Sequence, residues 1–414
     1  MSILKGACVV AQSGGPTAVI NASAWGAITA ALENEHITRV LGAAHGILGV
    51  LGDVLYDMSE EDPAELVKMK HTPSSALGSC RYKLADPDED DTDYARMLAT
   101  FRKYNVRYFF YNGGNDSMDT CNKISKYCQR QNYECRIIGI PKTIDNDLYG
   151  TDHCPGYGSA AKYIATSCME VWHDAHVYDT GMITILEIMG RHAGWLTGAS
   201  ALACHAGAGP DLIYLPEIPF DMEMFLEDVI AVYKHKGKVL VAASEGIKDS
   251  AGQFVAEYGT RLHEHDSFGH TQLGGLAATL AAIVKGRTGA KVRGIEFSLL
   301  QRCAAHCASL TDIEESVAAG RAAVERAVAG ETDLMVAFRC EREGGYKCEI
   351  ELLPLDIVAN TEKKLPREWI SPSGNGLEEQ FIEYALPLIQ GDTPMARRNG
   401  LPNFAKLRKV KAGA

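Results

Sequence analysis

The sequence predicts an α/β protein of two lobes, each built on a parallel sheet. Three observations carry this. The chain has 414 residues, more than one hydrophobic core usually supports. Short apolar runs end in glycine-rich turns that open helical stretches, and this unit recurs. The second half then repeats the logic of the first. Composition agrees, since 46% hydrophobic and 23% charged residues suit a globular chain with a large core.

Cys8 to Gln12 is the first strand. It ends in Ser13-Gly14-Gly15-Pro16, and a helix follows from about Val19 to Glu33. Arg107 to Tyr111 is the second strand, closed by Asn112-Gly113-Gly114-Asn115-Asp116-Ser117 before a helix from Asp119 to Arg130. Its aromatic run Tyr108 to Tyr111 reads as core rather than a stacking platform. Arg136 to Ile140 is a third strand, ending at Pro141. Further on, Met182 to Ile188 leads into Met189-Gly190-Arg191, and Val239 to Ala243 into Ser244-Glu245-Gly246. Thr311 with Glu314 has capping-box spacing for a helix ending near Gly330. Asp249 to Gln272 fits neither period, although a helix is expected from Leu276. Cys348 to Leu353 is a last strand, before a basic tail after Arg397. In such sheets ligands sit beyond the carboxyl ends of the strands.

The net charge of −12 opposes nucleic-acid binding, which favours a basic surface. No apolar stretch is long enough for a membrane span, and Met1 to Gly6 lacks signal-peptide anatomy. The expectation is a cytoplasmic protein. Its 12 cysteines show no framework spacing and read as reduced thiols. The Cys303-His306-Cys307 cluster lacks the second ligand pair of a zinc site.

An acidic protein that binds a polyanion must gather cations at one site. The turns at Gly14-Gly15 and Gly113-Gly114 follow strands and precede helices, where backbone N–H groups can approach a phosphate. Glycine pairs there are often only tight turns, and neither is a Walker or dinucleotide motif. The third turn, Pro141-Lys142-Thr143-Ile144-Asp145-Asn146-Asp147, is more informative. These are good turn residues. Yet one ammonium and two carboxylates, two positions apart, supply charge neutralisation, a base and a metal ligand for phosphoryl transfer.

The strings SGGPTAVIN, LGSCRY, GGNDS, PKTIDND, EIMGRHAG, ASEG and LLQR occur here in order, from about Gly14 to Arg302. In this the chain resembles the phosphofructokinase family. The resemblance implies two Rossmann-like α/β lobes with the active site in the inter-lobe cleft. It implies an N-terminal lobe of residues 1–157, a second lobe of 158–302, and a segment 303–414 that packs on both and completes the first. Asp145 then takes the proton from the 1-hydroxyl of fructose 6-phosphate. Thr143 and Asp147 position substrate and metal. Met189, Gly190 and Arg191 line the sugar-phosphate site, and Arg191 also steadies transferring charge. Glu245 binds sugar hydroxyls. Arg293 and Arg302 match the 6-phosphate arginines, a task that suits the bidentate guanidinium. Arg81, Gly15 and Gly14 fall on the donor phosphates. The product is fructose 1,6-bisphosphate, the reaction is reversible, and Mg²⁺ is the cofactor.

Two positions bear on the donor. Asp116 and Lys142 stand where ATP-using members carry glycines. A carboxylate there takes the room of a nucleotide α-phosphate, and the ammonium supplies charge to pyrophosphate. This pairing is that of pyrophosphate-dependent members. The competing readings are an ATP-dependent kinase, a kinase that also takes sedoheptulose 7-phosphate, and a non-catalytic regulatory subunit.

The chain departs from the family pattern at several places. Asn115 replaces an aspartate as a candidate metal ligand beside Asp147. Met182 replaces an arginine that crosses a subunit contact, a role for which Lys162 is one substitute. Leu299 replaces a histidine, while Trp25 and Thr29 replace effector-site arginines. His270, within Phe268 to Gly275, reads as structural, and so does His192. Because Arg293 crosses a subunit boundary in the family, a homodimer or homotetramer is expected.

Overall fold

The computed structural model describes residues 3–259, 275–359 and 361–413. The segment around His270 lies outside them. Strands in chain order are β1 (Gly6–Gln12), β2 (Ile37–Ala43), β3 (Leu55–Asp57), β4 (Val106–Gly113), β5 (Arg136–Pro141), β6 (Met182–Ile188), β7 (Leu212–Tyr214), β8 (Lys238–Ser244), β9 (Val292–Glu296), β10 (Leu334–Glu341), β11 (Lys347–Pro354), β12 (Arg397–Arg398) and β13 (Leu401–Pro402).

They form two main sheets. The first has seven strands in the order β11-β10-β5-β4-β1-β2-β3, and the second has four in the order β7-β8-β6-β9. Within the first, β2, β1, β4, β5 and β10 run parallel, with antiparallel β3 and β11 at its edges. The second is wholly parallel. β1, β4, β6 and β8 are almost entirely buried. Helices cover both faces of such sheets, which is why these strands read as continuous apolar runs. β10 and β11 come from the C-terminal part of the chain yet complete the first sheet.

Helix Ile20–Leu32 packs along helix Leu310–Val328 through two glycines. A Cβ on Gly26 would overlap the Val317 carbonyl, and one on Gly320 the Ser23 carbonyl. The later helix starts earlier than Thr311 and Glu314 predict. Its N-cap is Ser309, whose hydroxyl accepts from the Asp312 N–H at 3.4 Å. The correction has a physical reason, because the buried Asp312 side chain serves another helix. It accepts from the Gly156 and Ser159 N–H groups, each at 2.9 Å, and from the Ser159 hydroxyl at 2.5 Å. Asp312 thereby satisfies the N-terminus of helix Tyr157–His176 and ties the two sheets' helices together. Asp312→Ala strips three bonds from a buried end. It is expected to lower the unfolding free energy by about 2–4 kcal/mol, read from denaturant titration.

The helix predicted from Asp119 begins at Asn115, with Gly114 as its N-cap. The polar residues of that turn therefore stand on the first turn of a helix. Among the described residues, no helix is long and apolar enough to cross a membrane. All twelve cysteines are free.

Candidate active site

The first sheet presents three turns side by side, after β1, β4 and β5. Gly14 has φ +75°, a left-handed conformation that suits glycine. Its N–H donates to the Cys80 carbonyl at 3.1 Å, and its own carbonyl accepts from the Ser79 hydroxyl at 2.6 Å. The segment ending in Arg81 is thus held against this turn. A Cβ on Gly14 would lie 3.3 Å from the Lys142 Nζ, and one on Gly15 3.1 Å from an Arg302 nitrogen. The glycines are what allow these two cations to approach the backbone.

Lys142 is only 4% exposed. Its N–H donates to the Gly113 carbonyl at 2.9 Å, and its Nζ to the Gly15 carbonyl at 2.6 Å, so it staples all three turns. Burial, with Arg302 and Arg81 nearby, lowers its pKa to about 8, although Asp145 opposes the shift. Asp116 stands exposed on the first turn of helix Asn115–Arg130.

The loop beyond Lys142 is not extended, because Asn146 sits at φ 56°. Asn146 is fully buried. Its Nδ2 donates to the Tyr384 hydroxyl at 2.7 Å, and its Oδ1 accepts from the Cys154 N–H at 2.9 Å. Asp145 and Asp147 flank it, partly buried. The Thr143 hydroxyl accepts from the Asp145 N–H at 3.1 Å. Burial raises the Asp145 pKa, against the pull of Lys142, Arg191, Arg302 and Arg81. Burial and the Asp145 charge push Asp147 up to about 7.

The second sheet faces these turns with the ends of β6 and β8. Gly190 has φ +131°, and its carbonyl accepts from the Ser244 hydroxyl at 2.6 Å. Its N–H donates to Glu245 Oε1 at 3.4 Å, and the Met189 N–H donates to Gln301 Oε1 at 3.3 Å. Burial and Asp145 raise Glu245 to about 7. Arg191 and Arg302 both act on Asp145, so loops from the two sheets share one electrostatic centre.

Two buried atoms at this centre have no hydrogen-bond partner: the Arg191 Nε donor and the Asn115 Oδ1 acceptor. A donor suits an anion, and an amide oxygen acceptor, like the Asp147 carboxylate, is a ligand type that suits a hard cation such as Mg²⁺. The residues present fit that ion. The raised pKa values carry a sign. Asp147 and Glu245 hold protons more tightly folded than unfolded. Their contribution to stability is present below their ordinary values of 3.8 and 4.5 and is lost as pH rises through about 7. Mg²⁺ is therefore expected to raise Tm more at pH 7.5 than at pH 5, and Asp147→Asn to remove most of that shift. Scanning fluorimetry at both pH values reads this.

Arg293 is not brought into this group. It lies on β9, exposed, with a nitrogen 3.3 Å from Asp174. Lys162 is committed elsewhere in the chain, donating to the Gly391 carbonyl and to Asp392, each at 2.7 Å. Met182 is buried at the start of β6. Sequence reasoning missed Lys363. Its N–H donates to the Asp147 carbonyl at 2.7 Å, and its Nζ to the Asp152 carbonyl at 2.7 Å. It holds the Asp145–Asp147 loop from behind. No motif marked it, because the stretch around it has no periodicity.

The chain is similar over nearly its full length to several proteins that share one name. It is 45% identical over 413 residues to the pyrophosphate–fructose 6-phosphate 1-phosphotransferase of Xanthomonas campestris pv. campestris, spanning 98% of this chain and 97% of that protein. It is 44% identical over 403 residues to the protein of that name from Halomonas elongata, spanning 96% and 95%. The crystal structure of a pyrophosphate-dependent phosphofructokinase from Marinobacter aquaeolei superposes with a TM-score of 0.89 at 40% identity, over 99% of this chain and 98% of that one. The phosphofructokinase family model matches residues 7–295. With these turns, these cations and this match over more than half its length, the chain belongs to the phosphofructokinase family.

Proposed function

We propose that this chain transfers a phosphoryl group from pyrophosphate to the 1-hydroxyl of fructose 6-phosphate, reversibly and with Mg²⁺, in the cytoplasm. The carrying observation is Lys142, a buried ammonium seated on the Gly15 carbonyl in the donor turn. The exposed carboxylate of Asp116 stands on the adjoining helix. Together they favour a small, highly charged donor over one that continues into a nucleoside. The names of the relatives support the same donor and acceptor.

In this reading Asp145 is the base for the 1-hydroxyl. Its raised pKa brings its basicity closer to neutral pH, where a general base works best. Lys142 and Arg191 meet the charge of the transferring group, with Thr143 holding the loop. Arg81, Gly14 and Gly15 receive the diphosphate. Glu245, Met189 and Gly190 orient the sugar, and Arg302 binds its 6-phosphate. Asn115 and Asp147 would hold Mg²⁺, which supplies charge neutralisation on the diphosphate when bound. Arg293 would serve the 6-phosphate of a second copy, in a homodimer or homotetramer. The same reading assigns a donor lobe to residues 1–157 with β10 and β11, a sugar-phosphate lobe to 158–302, and a shared segment to 303–414.

A coupled assay with fructose 6-phosphate and either donor tests the proposal. Turnover is expected with pyrophosphate and not with ATP. Turnover with ATP alone would reject the donor assignment.

A further inference from the structure

Away from the cleft, β10 and β11 set Cys340 directly opposite Cys348. Both are partly buried on the face that packs toward the core beside Ile350 and Leu352. Opposed residues of an antiparallel pair have Cα atoms roughly 4.5–5.5 Å apart. That falls within the range of about 4.4–6.8 Å over which a disulfide forms without moving the backbone.

The surroundings of Cys340 are charged. Its Sγ lies 3.7 Å from His153 Nδ1 and 3.5 Å from the Tyr346 hydroxyl. His153 is buried between two carboxylates, with Nδ1 3.1 Å from Asp152 and Nε2 2.7 Å from Glu315. Burial alone would lower its pKa, but hydrogen bonds to Asp152, Cys340 and Glu315 raise it well above the ordinary value. With a carboxylate facing each ring nitrogen, the geometry favours a proton on both. The Cys340 thiol, hydrogen-bonded to Cys348 and to His153, drops to about 6, while the hydrogen bond and burial push Cys348 up. The Cys340 sulfur therefore ionises more readily than that of Cys348. This division suits an attacking and a resolving cysteine.

Asp152, His153 and Cys340 also offer three atoms within 4.8 Å of one another, as a metal site would. Those atoms are already taken. Asp152 accepts two bonds from Arg342, each at 2.8 Å, and both His153 nitrogens face carboxylates.

We propose that Cys340 and Cys348 form a reversible dithiol–disulfide couple, oxidised by hydrogen peroxide, that acts on the Asp145–Asp147 loop through His153. The Cys340 thiolate attacks a peroxide oxygen and the O–O bond breaks. The departing hydroxide takes the proton that Cys340 gave up on ionising, and a sulfenic acid remains. The Cys348 sulfur then attacks the Cys340 sulfur. The S–S bond forms, the S–O bond breaks, and water leaves with the Cys348 proton. Two thiols are oxidised, and the peroxide is reduced to two waters.

The route to the loop is short. The His153 ring stacks on Phe338 of β10 at 4.8 Å, and the Asp152 N–H donates to the Phe338 carbonyl at 2.9 Å. The next residue along, Cys154, donates its N–H to Asn146, between Asp145 and Asp147. Oxidation removes the ionisable thiol beside the His153 ring, and this stretch resettles.

The couple itself is judged without any assay of turnover, so its failure is distinct from failure of the proposed reaction. The full chain is treated with hydrogen peroxide, alkylated and digested with trypsin without reduction. Arg342 and Lys347 lie between the two cysteines, so a bridge joins two separate peptides. The linked pair is expected, and dithiothreitol should release it. Reduced Cys348→Ser should keep wild-type kcat and, on peroxide treatment, carry a dimedone-trapped sulfenic acid at Cys340. Iodoacetamide at pH 6.5 should label Cys340 roughly tenfold faster than the exposed Cys204 and Cys303. If peroxide oxidises other cysteines while Cys340 and Cys348 still alkylate as thiols, the couple is overturned. In the bridged form kcat is expected to fall about threefold or more and to return on reduction. An unchanged kcat at full bridging overturns the link to the loop.

Discussion

Asp145→Asn is expected to lower kcat by about 10²–10⁴-fold, the usual contribution of a positioned general base, while fructose 6-phosphate still binds. Asparagine keeps the shape of the side chain, and the Asp145 N–H bond to the Thr143 hydroxyl does not involve it. Arg302 and Glu245, which hold the sugar phosphate in the proposed pose, stay in place. The loss therefore falls on kcat, with a smaller change in KM. A second readout separates a base from a mere structural group. The Asp145 charge is one cause of the raised Asp147 pKa. Removing it lowers that value, so the fall in Tm that accompanies loss of the Asp147 proton as pH rises is expected at lower pH. Isothermal titration with fructose 6-phosphate and steady-state kinetics check the two halves. Retention of the full rate would end the assignment of the base.

Lys142→Met should lower kcat/KM for pyrophosphate by about 10²–10³-fold, the scale for losing one charge-stabilising donor in a water-poor site. Methionine nearly matches the length and volume of the lysine stem, so packing between the three turns survives. The sign of the stability change is the less obvious part. Burial depresses the lysine to about 8 from 10.5, so the folded chain holds this proton less tightly than the unfolded chain does. At neutral pH the buried ammonium is a burden on the fold, and the variant's Tm is expected to hold or rise. In the wild type the lysine must be protonated to act. Its kcat/KM for pyrophosphate is therefore expected to fall above about pH 8, and the methionine variant should lose that alkaline limb. A pH–rate profile of both proteins checks this.

The sequence carried the three turns well because each is a local device. A buried apolar strand, a glycine pair and a helix start are contiguous, so Gly14, Gly113 and Lys142 could be placed on one rim before any tertiary contact was known. β6 and β8 were legible for the same reason. The rest depends on contacts distant in sequence. β9 lies at a sheet edge with no fully buried residue, three of its five being exposed, which hides it from a search for apolar runs. The start of helix Leu310–Val328 was misjudged because Asp312, which looks like part of its cap, serves helix Tyr157–His176 instead. Lys363 and Tyr384 support Asn146 from more than 200 positions away. A turn motif names the residues that act but not those that hold them. Among the described residues, the buried Arg191 Nε and Asn115 Oδ1 are left without a hydrogen-bond partner.

The late arrival of β10 and β11 in a sheet begun by β1 has a consequence for synthesis. Until β10 leaves the ribosome, β5 is a bare edge strand at the margin of a sheet whose other strands are already made. The nascent chain spends the translation of nearly 200 residues, from the end of β5 to the start of β10, with that edge open to other chains. The four-stranded sheet, whose strands are all made in that interval, can close first. A chaperone that shields strand edges would find its substrate in that window.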